Sequence, residues 1–133
     1  APEMVALCEA ENLAGINRGP LAMGLLTGKY TPKTAVKGAD VRSAQGPDWM
    51  KYFTDGKANP EWYAKLDAIR EILTSNGRTL VQGALAWIWG RSEMTIPIPG
   101  FRTVEQVTEN CQAMHFGPLT PDQLDEIDEL LER

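Results

Sequence analysis

Only two short stretches of this chain read as β-strands, and most of its length separates them. The first is Ala14-Gly15-Ile16-Asn17-Arg18. The second is Met94-Thr95-Ile96-Pro97-Ile98, read as a short buried strand in which Pro97 removes one ladder donor. Around them the pattern is helical, in the order helix, strand, long loop, two helices, strand, helix, helix. Strands alternating with helices predict parallel βα units and an α/β fold. Two strands alone make a poor sheet, and a parallel pair needs cover on both faces. Something that completes the sheet is expected to be missing.

The helices carry their own start signals. Pro2 to Glu11 has proline at an allowed first position, with Met4, Leu7 and Cys8 on one face. Asn59-Pro60-Glu61 supplies an N-cap, an N1 proline and a first-turn acid. Trp62, Leu66, Ile69 and Leu73 follow at helical spacing until Ser75-Asn76-Gly77 ends the run. Thr79/Gln82, Thr103/Gln106 and Thr120/Gln123 are three capping boxes. The first opens Val81–Trp89, apolar on most faces and therefore expected to be buried. The second opens a helix with Val107, Cys111 and Met114 on one face, so that 79–112 forms a last βα unit. The third opens a C-terminal helix over 120–132, with Leu124, Ile127 and Leu131 inward. Its outer run of Asp125, Glu126, Asp128, Glu129 and Glu132 reads as a solvated face. By contrast, 19–59 reads as one irregular loop with six of the twelve glycines and three prolines. A loop that long is functional or disordered.

Composition narrows the function classes. A length of 133 residues suits a single domain, and 43% hydrophobic with 23% charged residues is globular composition. The net charge of −5 argues against a nucleic-acid partner, which would need a basic face. Cys8 and Cys111 cannot build a disulfide framework, and a reducing, cytoplasmic setting follows. No apolar run approaches the roughly 18 residues of a membrane span, and the acidic N-terminus is not a secretory signal. The single histidine, His115, has no second ligand or carboxylate pair beside it. It is expected at the surface or at a helix end, which leaves no metal site and no Ser/His/Asp triad.

Two places could seat an anion. In 14–59, Arg18, Lys29, Lys33, Lys37, Arg42, Lys51 and Lys57 face only Asp40, Asp48 and Asp55. A Gly-rich, basic loop just after a strand suits phosphate oxygens, because bare backbone N–H groups can approach them. The same charges would also suit a merely solvated loop. Gly24 to Tyr30 is not a P-loop: Met23 stands where the first glycine belongs and Tyr30 where Ser or Thr belongs. No GxGxxG occurs, so a Rossmann site has no support. The second place is Pro99-Gly100-Phe101-Arg102 running into the Thr103 helix. It reads either as a phosphate seat, with Gln106, Glu109 and Asn110 one turn on, or as one more capped surface helix.

Two stretches together resemble the aldo-keto reductase family. They are Asn17-Arg18-Gly19-Pro20-Leu21-Ala22-Met23-Gly24-Leu25-Leu26-Thr27-Gly28-Lys29-Tyr30 and Ile96 through Asn110, with the Thr79–Trp89 helix between them similar to the family's helix before its last strand. The resemblance covers nearly the whole chain. It implies the C-terminal portion of a (β/α)8 TIM barrel: the last two strands, their helices and a long βα loop. It also implies an NADP(H) cofactor and reduction of small-molecule aldehydes and ketones. By similarity Arg18, Gly19, Pro20, Leu21, Ala22, Met23 and Lys29 line the nicotinamide and pyrophosphate side. Gly100, Arg102, Gln106, Glu109 and Asn110 hold the adenosine 2′-phosphate and adenine. Many members carry an aromatic at the Arg18 position, which here could stack only through its planar guanidinium.

The family's proton-donating Tyr, its Lys and Asp partners and its active-site His come from earlier strands, and nothing here matches those motifs. No catalytic residue is therefore assigned, and the chain alone is expected to be inactive. Ala1 in place of Met implies that residues precede it. The expected partners are another copy of the chain or the N-terminal half of a barrel. The alternative is a non-catalytic nucleotide-binding or regulatory subunit of the same fold, since some family barrels are channel-associated. The carbonyl substrate is not legible.

Overall fold

The computed structural model describes residues 2–133. The two strands pair in parallel, as their alternation with helices requires: β1 (Gly15–Arg18) and β4 (Thr95–Ile98) lie with Ile16 opposite Ile96 and Asn17 opposite Pro97. The helices are α1 (Pro2–Ala10), α2 (Pro60–Ala68), α3 (Arg70–Leu73), α4 (Leu80–Arg91), α5 (Val104–Phe116) and α6 (Pro121–Leu130). The Thr79 and Thr120 capping boxes close in both directions. The Thr103 box closes in one only. Thr103 accepts from the Gln106 N–H, but Gln106 Oε1 takes the Arg102 N–H at 2.7 Å. The side chain reaches one residue further back than a capping box requires.

Four other expectations need correction. The 62–73 helix breaks at Ile69, whose φ −104°, ψ 4° is not helical, giving α2 and α3. α5 runs on to Phe116, past Met114, the last apolar residue of its expected face. The 19–59 segment is not one irregular loop. It holds a kinked 3-10 turn (Ala22–Thr27) and a hairpin of β2 (Phe53–Thr54) and β3 (Lys57–Ala58). Asp55 and Gly56 carry φ of 51° and 77°, the left-handed pair that a tight two-residue hairpin turn demands. The segment also has its own core, in which Leu25, Met50, Phe53 and Ala58 are buried against Tyr30, Val41, Tyr52, Trp62 and Tyr63.

The fourth correction is β4, which is not buried. Ile96 and Ile98 are 49% and 50% exposed, and Ile16 beside them is 67% exposed. Side chains alternate across a sheet, so these residues share one face. α4 covers the other face of β4, where Thr95 Oγ1 donates to the Ile88 carbonyl at 3.1 Å. The main core lies further out. Leu66, Ile69, Ile72, Leu73, Leu80, Ala86, Leu119, Leu124 and Ile127 join α2, α3, α4 and α6. Val81 and Leu85 of α4 close on Ala113 of α5. The Leu80–Ala86 half of α4 is fully buried, as its apolar faces demand.

Candidate functional site

The chain leaves β1 at Arg18 and turns through Gly19, Pro20 and Leu21 into the 3-10 turn. Ala22, Met23 and Gly24 all have positive φ (48°, 56° and 95°). For the two non-glycine residues that conformation costs on the order of 1 kcal/mol each. The bonds that hold it include Gly24 N–H to the Leu21 carbonyl at 2.8 Å, Thr27 Oγ1 to the Gly24 carbonyl at 2.7 Å, and Arg42 Nη1 to the Met23 carbonyl at 3.3 Å. Arg42 is fixed in turn by Asp40, which accepts from its Nη2 at 2.6 Å and its Nε at 2.8 Å. The guanidinium's hydrogen bonds hold the Asp40 carboxyl well below the usual carboxylate range, and the Arg42 pKa is raised reciprocally. The Arg42 guanidinium also lies 4.8 Å from the Tyr30 ring centroid, within cation–π range.

Facing this wall, β4 ends at Ile98 and the chain passes through Gly100, Phe101 and Arg102 into α5. An added Cβ at Gly19 or Gly100 would meet nothing within 4 Å, so bare backbone faces open space on both sides. Between the walls lies a cleft of about 610 Å³ at the C-terminal ends of the two strands. Gly19, Pro20, Leu21, Met23 and Lys29 line one side, and Gly100, Arg102, Gln106, Glu109 and Asn110 the other. Two of the sequence-derived candidates are not on its lining. Ala22 packs into the loop core behind the wall, and Arg18 lies on the exposed sheet face with Ile16.

The structure adds lining residues that the sequence reading passed over: Gly24, Thr27, Tyr30, Val41, Arg42, Val81 and Phe101. In the sequence Tyr30 ends the first stretch of the family resemblance, and Arg42 is one positive charge among seven in 14–59. Nothing local in the sequence ties either to Gly100. Lys29 and Arg102 bring positive charge to the cleft, that of Arg42 being paired with Asp40, with bare glycine backbone between. Such a donor set can hold an extended, multiply anionic ligand. Glu105 lies in the first turn of α5, its carboxyl held below its ordinary pKa by its own backbone N–H and the Thr103 hydroxyl. Among the described residues no His, Cys, Asp and Glu side chains gather into a metal-binding group, and no helix is long and apolar enough to cross a membrane. His115 is exposed in the last turn of α5, and Cys8 and Cys111 are free.

Parallel strands alternating with helices make this an α/β molecule, and its cleft opens at the C-terminal end of the strands, the end at which α/β proteins commonly seat ligands. The family model of the aldo/keto reductase family matches residues 1–132, and the chain belongs to that family. It is 28% identical over 122 residues to the chloroplastic pyridoxal reductase of Arabidopsis thaliana, covering 92% of this chain and 30% of that protein. With a putative voltage-gated potassium channel subunit beta of Schizosaccharomyces pombe it shares 34% over 119 residues, 84% of this chain and 32% of that one. The NADP(+) aldo-keto reductase yakc of the same yeast is 29% identical over 110 residues, 80% of this chain and 30% of its own. The chain thus spans about a third of the length of these curated relatives.

Proposed function

We propose that this chain is the NADP(H)-holding, C-terminal part of an aldo-keto reductase: the last two βα units of a (β/α)8 barrel that, when complete, reduces small-molecule aldehydes and ketones. One observation carries the reading. The two walls, far apart in sequence, converge on one cleft at the strand ends with cations along it. On this reading Gly19, Pro20, Leu21, Met23 and Lys29 hold the pyrophosphate side. Gly100, Arg102, Gln106, Glu109 and Asn110 receive the 2′-phosphate and adenine. Ala22 supports the first wall from behind, and Arg18 stands beside the nicotinamide end. The cofactor supplies or accepts a hydride, while this chain's residues bind and orient it. The acid that protonates the developing alkoxide comes from outside these residues, so the chain alone is inactive. A cytoplasmic setting belongs to the same reading, supported by two unpaired cysteines.

Titration of the full chain with NADPH and NADH tests this. The two cofactors differ by one phosphate, and the cation offered to it is Arg102 at the start of α5. A charge-assisted hydrogen bond there is worth about 1.5–3 kcal/mol, or roughly one to two decades of affinity. Arg102→Ala should weaken NADPH by that much and leave NADH nearly unchanged. Equal losses for both would move Arg102 away from the 2′-phosphate, and no binding of either by the unmodified chain would remove the reading.

A second reading keeps the cofactor cleft but makes the complete protein a regulatory subunit. It is favoured by the 34% identity to a putative voltage-gated potassium channel subunit beta, higher than to the two reductases above. Recovery of carbonyl reduction in the complete barrel separates the two.

A further inference from the structure

Val81 and Leu85 of α4 pack against Ala113 of α5, and beside them lies a buried polar side chain, Gln82. Gln82 is only 4% exposed and uses both ends of its amide. Its Oε1 accepts the Thr79 N–H at 3.0 Å and completes the capping box. Its Nε2 donates to the main-chain carbonyl of Glu109 at 3.1 Å. A carbonyl inside a helix already accepts the N–H four residues on, so this bond occupies its second lone pair and is not needed to satisfy it. A capping box is served equally by Glu, which has no donor to offer. The glutamine therefore does something the cap does not require: it ties α4 to the backbone of α5 at Glu109. That residue lines the cleft, Asn110 follows it, and Gln106 precedes it by one turn.

We propose that Gln82 is a positioning residue for the cofactor cleft, acting through the Glu109 carbonyl to set the roll of α5 and so the aim of Gln106, Glu109 and Asn110. The inference rests on the reading of that cleft as an NADP(H) site. The fold supplies a matched control. Gln123 plays the same part in the α6 capping box, accepting from Thr120 N–H at 3.0 Å while its Nε2 donates to Ser75 Oγ at 2.9 Å, and neither partner lines the cleft.

The experiment compares Gln82→Glu with Gln123→Glu in the full chain, reading NADPH affinity, thermal midpoint and backbone amide exchange. Both variants keep the capping acceptor and lose the donor. Gln82→Glu should weaken NADPH roughly tenfold, the scale of one well-placed hydrogen bond, and speed amide exchange over residues 106–113. Gln123→Glu, whose carboxylate can still accept from the Ser75 hydroxyl, should leave NADPH affinity within about twofold of the unmodified chain. Equal losses of affinity in the two variants would overturn the proposal. If the unmodified chain binds neither NADPH nor NADH, the cofactor reading falls, and unchanged exchange over 106–113 in Gln82→Glu still overturns the positioning role. Should Gln82→Glu fail to fold, Gln82→Met is compared with Gln123→Met, a pair in which both variants lose the capping acceptor as well as the donor and only the Gln82 change removes the bond to the Glu109 carbonyl.

Discussion

Gly83 shows how a residue can contradict its local propensity for a tertiary reason. It lies inside α4, where glycine is about 1 kcal/mol worse than alanine on helix propensity alone. A Cβ there would collide with the main-chain carbonyl of Leu73, at the end of α3. The backbone of α3 can approach α4 this closely only because the side chain is absent. Gly83→Ala should therefore destabilise by about 1–3 kcal/mol, as overpacking does, where propensity alone predicts a gain. A chemical-denaturation midpoint that rises in the variant would refute this. Arg42 makes a related point at the cleft. Its aim is set by its near neighbour Asp40 and by the Met23 carbonyl and the Tyr30 ring, two partners that no local pattern connects to it.

Among the elements, the β2–β3 hairpin changes the account of the 19–59 segment. Two strands of two residues each bury very little, so the pairing rests on the turn and on the Phe53 and Ala58 side chains beneath it. The turn also docks its segment: the Val36 N–H donates to the Gly56 carbonyl at 2.7 Å. A Cβ at Gly56 would stand 2.8 Å from the Val36 carbonyl, on a residue whose φ is already +77°. Gly56→Ala combines left-handed strain with that clash and should cost about 1–3 kcal/mol. Because the hairpin packs behind the cleft wall, the loss should appear first as faster amide exchange within residues 36–58. Uniform exchange across the whole chain would mean that the segment is not a separate stabilising unit. The helical elements needed no such help: Thr79 and Thr120 cap as their sequences dictate, and only Thr103, whose Gln106 reaches Arg102 instead, departs from the pattern.

At the scale of the whole molecule, the parallel pair is the unfinished part. Ile16, Ile96 and Ile98 lie open on one face, Leu13 and Phe101 add apolar surface, and each strand has one unpaired edge. Open edges and apolar faces recruit other chains. The purified chain should therefore associate, with a light-scattering mass that rises with concentration. The paired substitution Ile96→Lys and Ile98→Lys should reduce that association, since charge on an exposed sheet face opposes pairing. A constant monomer mass up to high concentration would show that the open sheet recruits nothing.

The sequence determined whatever depends on near neighbours along the chain. Helix starts are local, because a cap needs only a hydroxyl and the N–H three residues on, and Thr79, Thr103 and Thr120 were legible for that reason. The parallel pairing was legible because helices intervene between two short apolar stretches. Most of both cleft walls was legible from the stretches around Gly19–Lys29 and Gly100–Asn110 that carry the family resemblance. Tertiary structure alone decided what depends on residues distant in sequence. It broke the second helix at Ile69, gave 19–59 a core of its own, turned Arg18 to the open sheet face, and brought Tyr30 and Arg42 to the same cleft as Arg102. It also left β4 exposed where its composition reads as core. An apolar strand is buried only if something covers both of its faces, and composition does not say what does the covering.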